Sequence, residues 1–222
     1  MSKNNEKYSN RSKAHVRYKL KDGTIIPGVT TITGSLGWGK DALIKWANNL
    51  GLQGIDSREY VNEKAQIGTL AHRMITDYLQ QIKTDTAEYS KDIIDLAENS
   101  ALSFFEWLKS NELKPILIEK PLISESLKYG GTLDIYAENN GVLELIDLKT
   151  GRGIYGEYII QVAALEYLLV ENGYKVYRRR ILNIPRSEDE SFMEKIIADT
   201  KVPMEIFKNC LTIYELKKRL DT

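Results

Sequence analysis

The chain has one cysteine, Cys210, in 222 residues. That excludes an internal disulfide framework and any four-cysteine zinc or iron–sulfur site built from this chain alone. No apolar run approaches the ~20 residues of a membrane span, so no membrane partner is expected. The opening MSKNNEKYSNRSKAH lacks the apolar stretch of a secretory signal. Glu6 and the absence of an amphipathic pattern argue against a transit peptide, which makes a cytoplasmic protein the expectation. Net charge is missing too, since 31 basic residues balance 31 acidic ones. Wholesale coating of nucleic acid needs a basic domain and is disfavoured, whereas a local basic groove is not. The sequence shows no internal repeat and no low-complexity segment.

What is present fits a single domain. Apolar residues make up 42% and charged residues 28%, the balance of a globular chain. A chain of this length buries about 70% of its unfolded surface. Residues 1–14 read as a flexible basic tail, with Lys3, Lys7, Arg11 and Lys13 against Glu6 alone. Residues 15–114 read as a strand hairpin and helices. His15–Leu20 and Thr24–Ile26 flank an Asp22-Gly23 turn, Pro27-Gly28 breaks the chain, and helical periods run over 40–50, 57–83 and 87–109. The texture changes at Pro115. Residues 115–185 hold the β-rich segments ILIEKPLI, YGGTLDIYA and GVLELIDLK, then a helix over 157–171 and a strand over 175–184. Residues 186–222 read as helices near 189–199 and 203–219. That order describes an α/β fold with a mixed, partly antiparallel sheet and an N-terminal helical region.

The chemistry concentrates between Lys128 and Lys149. Asn140-Gly141 is a strong type I′ hairpin signal. With those two residues as the turn, Asp134 falls opposite Asp147 and Thr132 opposite Lys149. A four-residue turn from Glu138 shifts the pairing by two and still leaves both aspartates on one face with Lys149. Leu143 and Leu145 precede Asp147 on that face, so the charges end an otherwise apolar strand. Facing carboxylates repel. A hard divalent ion between them is the economical reason to keep such a pair, and Mg²⁺ takes one or two carboxylates plus substrate phosphate. A lysine alongside can stabilise the charge that develops during phosphoryl chemistry. The alternative is a solvated hairpin face decorated with charges.

These residues carry a resemblance. Gly-Gly-Thr-Leu-Asp134, then Asp147-Leu-Lys149-Thr, resembles the PD-(D/E)XK nuclease superfamily. Within it the chain is similar to the RecB-type exonuclease branch, including phage-encoded exonucleases and the mitochondrial genome-maintenance exonuclease. Gly68-Thr-Leu-Ala-His72 fits that branch's Gly-x-x-x-His helix, Glu119 in ILIEKPL its strand glutamate, and Gln161 in IIQVAALEYLL its glutamine helix. IPGVTTITGSLGWGKDALIKWA also looks like phage members of the branch. The resemblance implies a restriction-endonuclease-like core and Mg²⁺, with Mn²⁺ able to substitute. It implies that Asp134 and Asp147 ligate the ion with the Leu148 carbonyl, and that Glu119 and His72 complete or water-bridge the site. Lys149 would position the attacking water, and Gln161 would orient Lys149 or the scissile phosphate. One departure stands out: the branch usually has a tyrosine four residues after the glutamine, where this chain has Leu165, with Tyr167 two further on. The four cysteines of iron–sulfur members are absent, so no cluster is expected.

Two further patterns lead elsewhere. Gly34-Ser-Leu-Gly-Trp-Gly39-Lys40 matches a phosphate loop, but Asp41 replaces the magnesium-binding hydroxyl. ATP is not expected, and Asp41 reads as a cap on a helix over 42–50. Gly151-Arg-Gly153-Ile-Tyr-Gly156 matches a dinucleotide fingerprint, but its strand ends in charged residues and KVYRRRILNI offers no terminal acid for a ribose. NAD is not expected, and the glycines read as a mobile loop near substrate.

The expectation is a Mg²⁺-dependent DNA exonuclease of phage or prophage origin, acting in replication, recombination or repair, with a recombination or single-strand-binding protein as partner. Tyr155, Tyr158 and the cluster Arg178, Arg179 and Arg180 would guide the strand, since aromatics stack bases and cations hold phosphates. A structure-specific endonuclease and a catalytically silent DNA-binding subunit remain the alternatives.

Overall fold

The computed structural model describes residues 16–220, and the expected tail lies outside them. A short hairpin opens the described chain, β1 (Tyr18–Lys19) against β2 (Ile25–Ile26). Its turn is closed by Gly23 at φ 87° and by Asp22 Oδ1 accepting from the Thr24 N–H. Four helices follow: α1 (Val29–Thr33), α2 (Lys40–Leu52), α3 (Ser57–Leu79) and α4 (Lys91–Leu108). Asp56 caps α3 by accepting from the Arg58 and Glu59 N–H groups. In α2 the cap is Gly39, in the left-handed region at φ 73°, and Asp41 lies inside the first turn. The expected Asp41 cap is therefore corrected: a glycine able to adopt positive φ lets the helix begin two residues earlier.

The meander is β3 (Leu113–Ser124), β4 (Tyr129–Asn139) and β5 (Val142–Thr150). Asn140 and Gly141 both take positive φ, 49° and 78°, as a type I′ turn requires. The turn fixes the register, with Asn139 opposite Val142 and Ile135 opposite Ile146. Helix α5 (Gly156–Glu171) then crosses over to β6 (Arg178–Ile184), which lies parallel to β5. β7 (Met193–Ile196) adds an antiparallel edge, and α6 (Lys201–Leu220) closes the chain. The result is a five-stranded mixed sheet in the order β3-β4-β5-β6-β7.

The segment near 189–199 is a correction. It was expected to be helical, and it forms the exposed edge strand β7 instead. Its composition favours neither state strongly, and the open backbone of β6 supplies the partner that decides. Asn183 anchors its start by donating to the Ser191 carbonyl.

Helices cover both faces of the sheet. Leu145 and Ile181 pack with Leu168 of α5 and Phe207 of α6, while Ile146, Leu148 and Leu182 pack with Leu70 of α3 and Phe104 of α4. Consecutive β5 residues thus enter opposite cores, which is why GVLELIDL reads as a nearly unbroken apolar run.

Arg178, Arg179 and Arg180 do not form the strand-guiding cluster expected of them. Arg178 and Arg180 reach the fully buried Glu144, at 3.4 and 3.0 Å, and Arg180 also pairs with Glu194 and lies over Trp107. Arg179 pairs with Glu166, which also accepts from Thr200 Oγ1. The three cations hold β5, β6, β7 and the helices together. Removing one partner of a buried pair leaves an uncompensated charge. Glu144→Ala is therefore expected to lower unfolding free energy by about 3–5 kcal/mol. Urea denaturation checks this, and a loss below about 1 kcal/mol would show that water reaches the arginines.

Candidate active site

Beyond Ile135–Ile146, β4 and β5 part. Continued pairing would set Leu133 against Leu148, with the Leu148 N–H directed at the Leu133 carbonyl. Instead that N–H donates to Asp134 Oδ2 at 2.8 Å. Leu133 packs in the α5 core whereas Ile135 packs in the α3–α4 core. Residues two apart on a regular strand share a face, so β4 turns over at Asp134. Its neighbour in β3 is irregular at the same level. Glu119 stands between Ile118, opposite Ile135, and Lys120, opposite Leu133, in the left-handed region at φ 47°. A non-glycine residue there stores strain, and such outliers gather at functional sites.

The parting leaves a cavity of about 260 Å³. Asp134, Asp147, Lys149, His72 and Gln161 line it. Four elements therefore deliver the expected residues to one place. His72 arrives because α3 packs close to the end of β5: a Cβ on Gly68 would stand 2.5 Å from Thr150 Oγ1. One turn later, His72 Nδ1 lies 3.7 Å from Asp134 Oδ1. His72, Glu119 and Asp134 bring ligand atoms within 4.8 Å of one another.

Asp147 lies outside that trio. Its buried Oδ2 stands 2.6 Å from Lys149 Nζ and, among the described residues, takes no well-aligned hydrogen bond. Lys149 Nζ is in turn 5.2 Å from the Tyr158 ring. The charges act on one another. Burial pushes the Asp134 carboxyl up, but His72, Lys149 and the Leu148 N–H more than offset it and hold it at about 2. At Asp147 burial wins: with Asp134 adding to it, the carboxyl is raised despite Lys149. Burial opposes the Lys149 charge, yet Asp147 and Asp134 outweigh it and raise the ammonium.

Among the other expected residues, Leu148 has its N–H on Asp134 and lines an adjoining groove. Tyr155 and Tyr158 line that groove as well. Leu165 lines the cavity in place of the usual tyrosine, and Tyr167 points elsewhere, bonding Ser126 at 3.1 Å. Tyr18 and Thr132 were missed: their hydroxyls lie 3.0 Å apart on the cavity wall. The available signal was Gly130, where a Cβ would stand 2.3 Å from the Tyr18 ring. Trp46, Tyr60, Lys64, Arg152 and Arg186 of the groove left no comparable trace in the sequence.

No family model and no curated protein matches the chain in sequence. Among solved structures, a candidate exonuclease of Eubacterium rectale superposes with a TM-score of 0.48 at 15% identity, covering 64% of this chain and 64% of its own. An alkaline exonuclease of Laribacter hongkongensis superposes with a TM-score of 0.40 at 11% identity, covering 69% and 79%. The match to the first spans less than two thirds of that protein's length. Likenesses this distant carry no argument, and the chemistry has to come from the cavity itself.

The raised Asp147 carboxyl yields a stability test. A carboxyl raised on folding binds its proton more readily in the folded chain, so its charged form costs stability above the folded value. That cost begins to fall as pH drops below the folded value and is gone below the unfolded one. Asp147→Asn keeps the shape and removes the charge. In excess chelator at neutral pH the variant is expected to melt at or above the wild type, by about 2–4 °C for each kcal/mol of relief. With millimolar Mg²⁺ the order should narrow or reverse, because only the wild type gains binding free energy. A lower melting temperature in chelator, unmoved by Mg²⁺, would make Asp147 merely structural.

Proposed function

We propose that the chain is a metal-dependent deoxyribonuclease of the PD-(D/E)XK type, acting as an exonuclease in replication, recombination or repair. One observation carries the reading. Two aspartates and a lysine, with side-chain exposures of 15%, 5% and 19%, converge where two strands part, and a buried Asp147 oxygen has no aligned donor. A catalytically silent subunit would gain nothing from burying repelling carboxylates.

The donor set fits a divalent ion. Asp134, Asp147 and Glu119 offer carboxylate oxygens, which suit Mg²⁺ or Mn²⁺, and His72 offers an imidazole. The Leu148 carbonyl would add a neutral oxygen. When bound, the ion would supply Lewis-acid stabilisation of charge on the phosphate oxygens. The side chains do the rest. Lys149, fixed by Asp147 and Tyr158, holds a positive charge where an attacking water and the phosphate oxygens gather. Such preorganised charge favours the transition state more than the ground state. Gln161 of α5 lines the same cavity and offers an amide donor and acceptor to orient water or phosphate. Water attacks phosphorus in line, one phosphorus–oxygen bond forms and the bond to the leaving oxygen breaks, and the proton the water loses is balanced by the one the leaving oxygen gains to become a hydroxyl.

Lys149→Ala is expected to lower turnover on the order of 100-fold or more while DNA affinity in chelator stays nearly unchanged. Single-turnover cleavage and fluorescence anisotropy read the two effects separately, and equal losses in both would make Lys149 a binding residue. End-labelled linear DNA should be degraded with Mg²⁺ or Mn²⁺ and spared in chelator. Rapid cutting of covalently closed circles would favour an endonuclease, and cleavage in excess chelator would rule out the metal mechanism.

A further inference from the structure

Beside the cavity, and sharing His72 and Lys149 with it, runs a groove of about 810 Å³ between α2, α3 and the loop that leads into α5. Its lining is unusual for a chain with equal numbers of acids and bases. Lys64, Arg152 and Arg186 join Lys149 in it, and among the described residues no aspartate or glutamate lines it. Arg186 pairs with Glu190, Arg152 approaches Asp189 at 3.6 Å and Lys64 lies 3.5 Å from Glu63, but none of these carboxylates is part of the lining. These pairs fix where the guanidinium groups sit. The groove is also aromatic. Trp46 and Tyr60 meet edge to face at 5.8 Å, and Tyr155 and Tyr158 do so at 5.5 Å.

We infer that this groove binds an unpaired DNA strand and that the enzyme takes its substrate single-stranded, a conclusion that rests on the nuclease reading and specifies its substrate. An aromatic side chain stacks on a base only if the face of that base is free, and inside a duplex each face is covered by the next base pair. Four aromatic rings in a cationic groove therefore match a strand whose bases are splayed, with the Lys64, Arg152 and Arg186 charges on its phosphates. The cavity supports this from the other end. Tyr18 of the hairpin and Val29 and Thr30 of α1 line it together with the carboxylates, so the scissile phosphate enters a walled space of about 260 Å³. A single strand can thread such a space, and a duplex end has to separate first. Exposed apolar area fits the same occupant: Leu43 is 62% and Tyr155 56% exposed in the groove wall, and base faces cover such area as well as phosphates cover the cations.

The experiment compares a labelled 20-mer of thymidine nucleotides with a blunt 20-base-pair duplex, by anisotropy on the full chain in excess chelator. The single strand should bind at least about tenfold tighter. Trp46→Ala should weaken single-strand binding roughly 5- to 150-fold, the range for one stacked base, with duplex binding unmoved and Trp46→Phe retaining most of the affinity. Trp46 is partly packed on Tyr60, so Arg152→Gln provides the second variant. Arg152 is exposed, and its loss should lower the slope of log affinity against log salt by about 0.7, one single-strand phosphate contact. Equal or tighter duplex binding, or affinities unmoved in both variants, overturns the inference. Cleavage separates the two readings. Single-strand binding with these dependences but no cutting in Mg²⁺ or Mn²⁺ removes the nuclease and leaves the groove. Cutting of blunt duplex as fast as single strand, unaffected by Trp46→Ala, removes the groove and leaves the nuclease.

Discussion

The separation of β4 from β5 at Asp134 is the constraint on which the rest of the structure depends. A hairpin that continued to pair would consume the Leu148 N–H in its ladder and press the two aspartates together at the sheet surface. By handing that N–H to a side chain, Asp134 ends the ladder and anchors its own carboxylate in one contact. The space that opens is then walled from elsewhere, by α3 through His72, by α5 through Gln161 and by the N-terminal hairpin through Tyr18. Charge balance follows from the same geometry. Two acids that would repel each have a basic neighbour, Lys149 beside Asp147 and His72 beside Asp134, and their proton affinities move in opposite directions.

Three glycines let the walls come close enough. Gly68 admits Thr150, Gly130 admits the Tyr18 ring, and Gly131 leaves room for Leu165, whose methyl would stand 2.8 Å from a Cβ there. The last contact explains the departure at Leu165. At that helical position the side chain is spent on packing α5 against β4, and the polar hydroxyl of the cavity wall comes from Tyr18 instead.

What the sequence disclosed follows the range of the forces involved. Asn140-Gly141 specifies its own turn, and the turn propagates a register outward as far as Ile135–Ile146. The expected pairing of Asp134 with Asp147 and of Thr132 with Lys149 fails beyond it, because Asp134 takes the Leu148 N–H that the ladder would have used. His72, Glu119 and Gln161 were readable only through motif resemblance, because nothing local says which helix face will meet which strand. β7 was misread since its partner, the open edge of β6, lies outside its own segment. The arginines were misread for a related reason. A cationic triplet in sequence is the same whether it faces water or a buried carboxylate, and Glu144 stands 34 residues before Arg178. Apart from Tyr155 and Tyr158 the groove left least trace, being assembled from residues scattered over α2, α3, a loop and Arg186.

The Tyr18–Thr132 contact joins residues 114 positions apart, and this has a consequence for synthesis. Chains emerge from the ribosome N-terminus first. Tyr18 and His72 are made early and have nothing to close upon, because the strands bearing both aspartates and Lys149 come later and Gln161 later still. A nascent or interrupted chain that stops short of residue 149 holds walls without a floor. The full set of side chains that line the cavity is thereby withheld until residue 161 has been made.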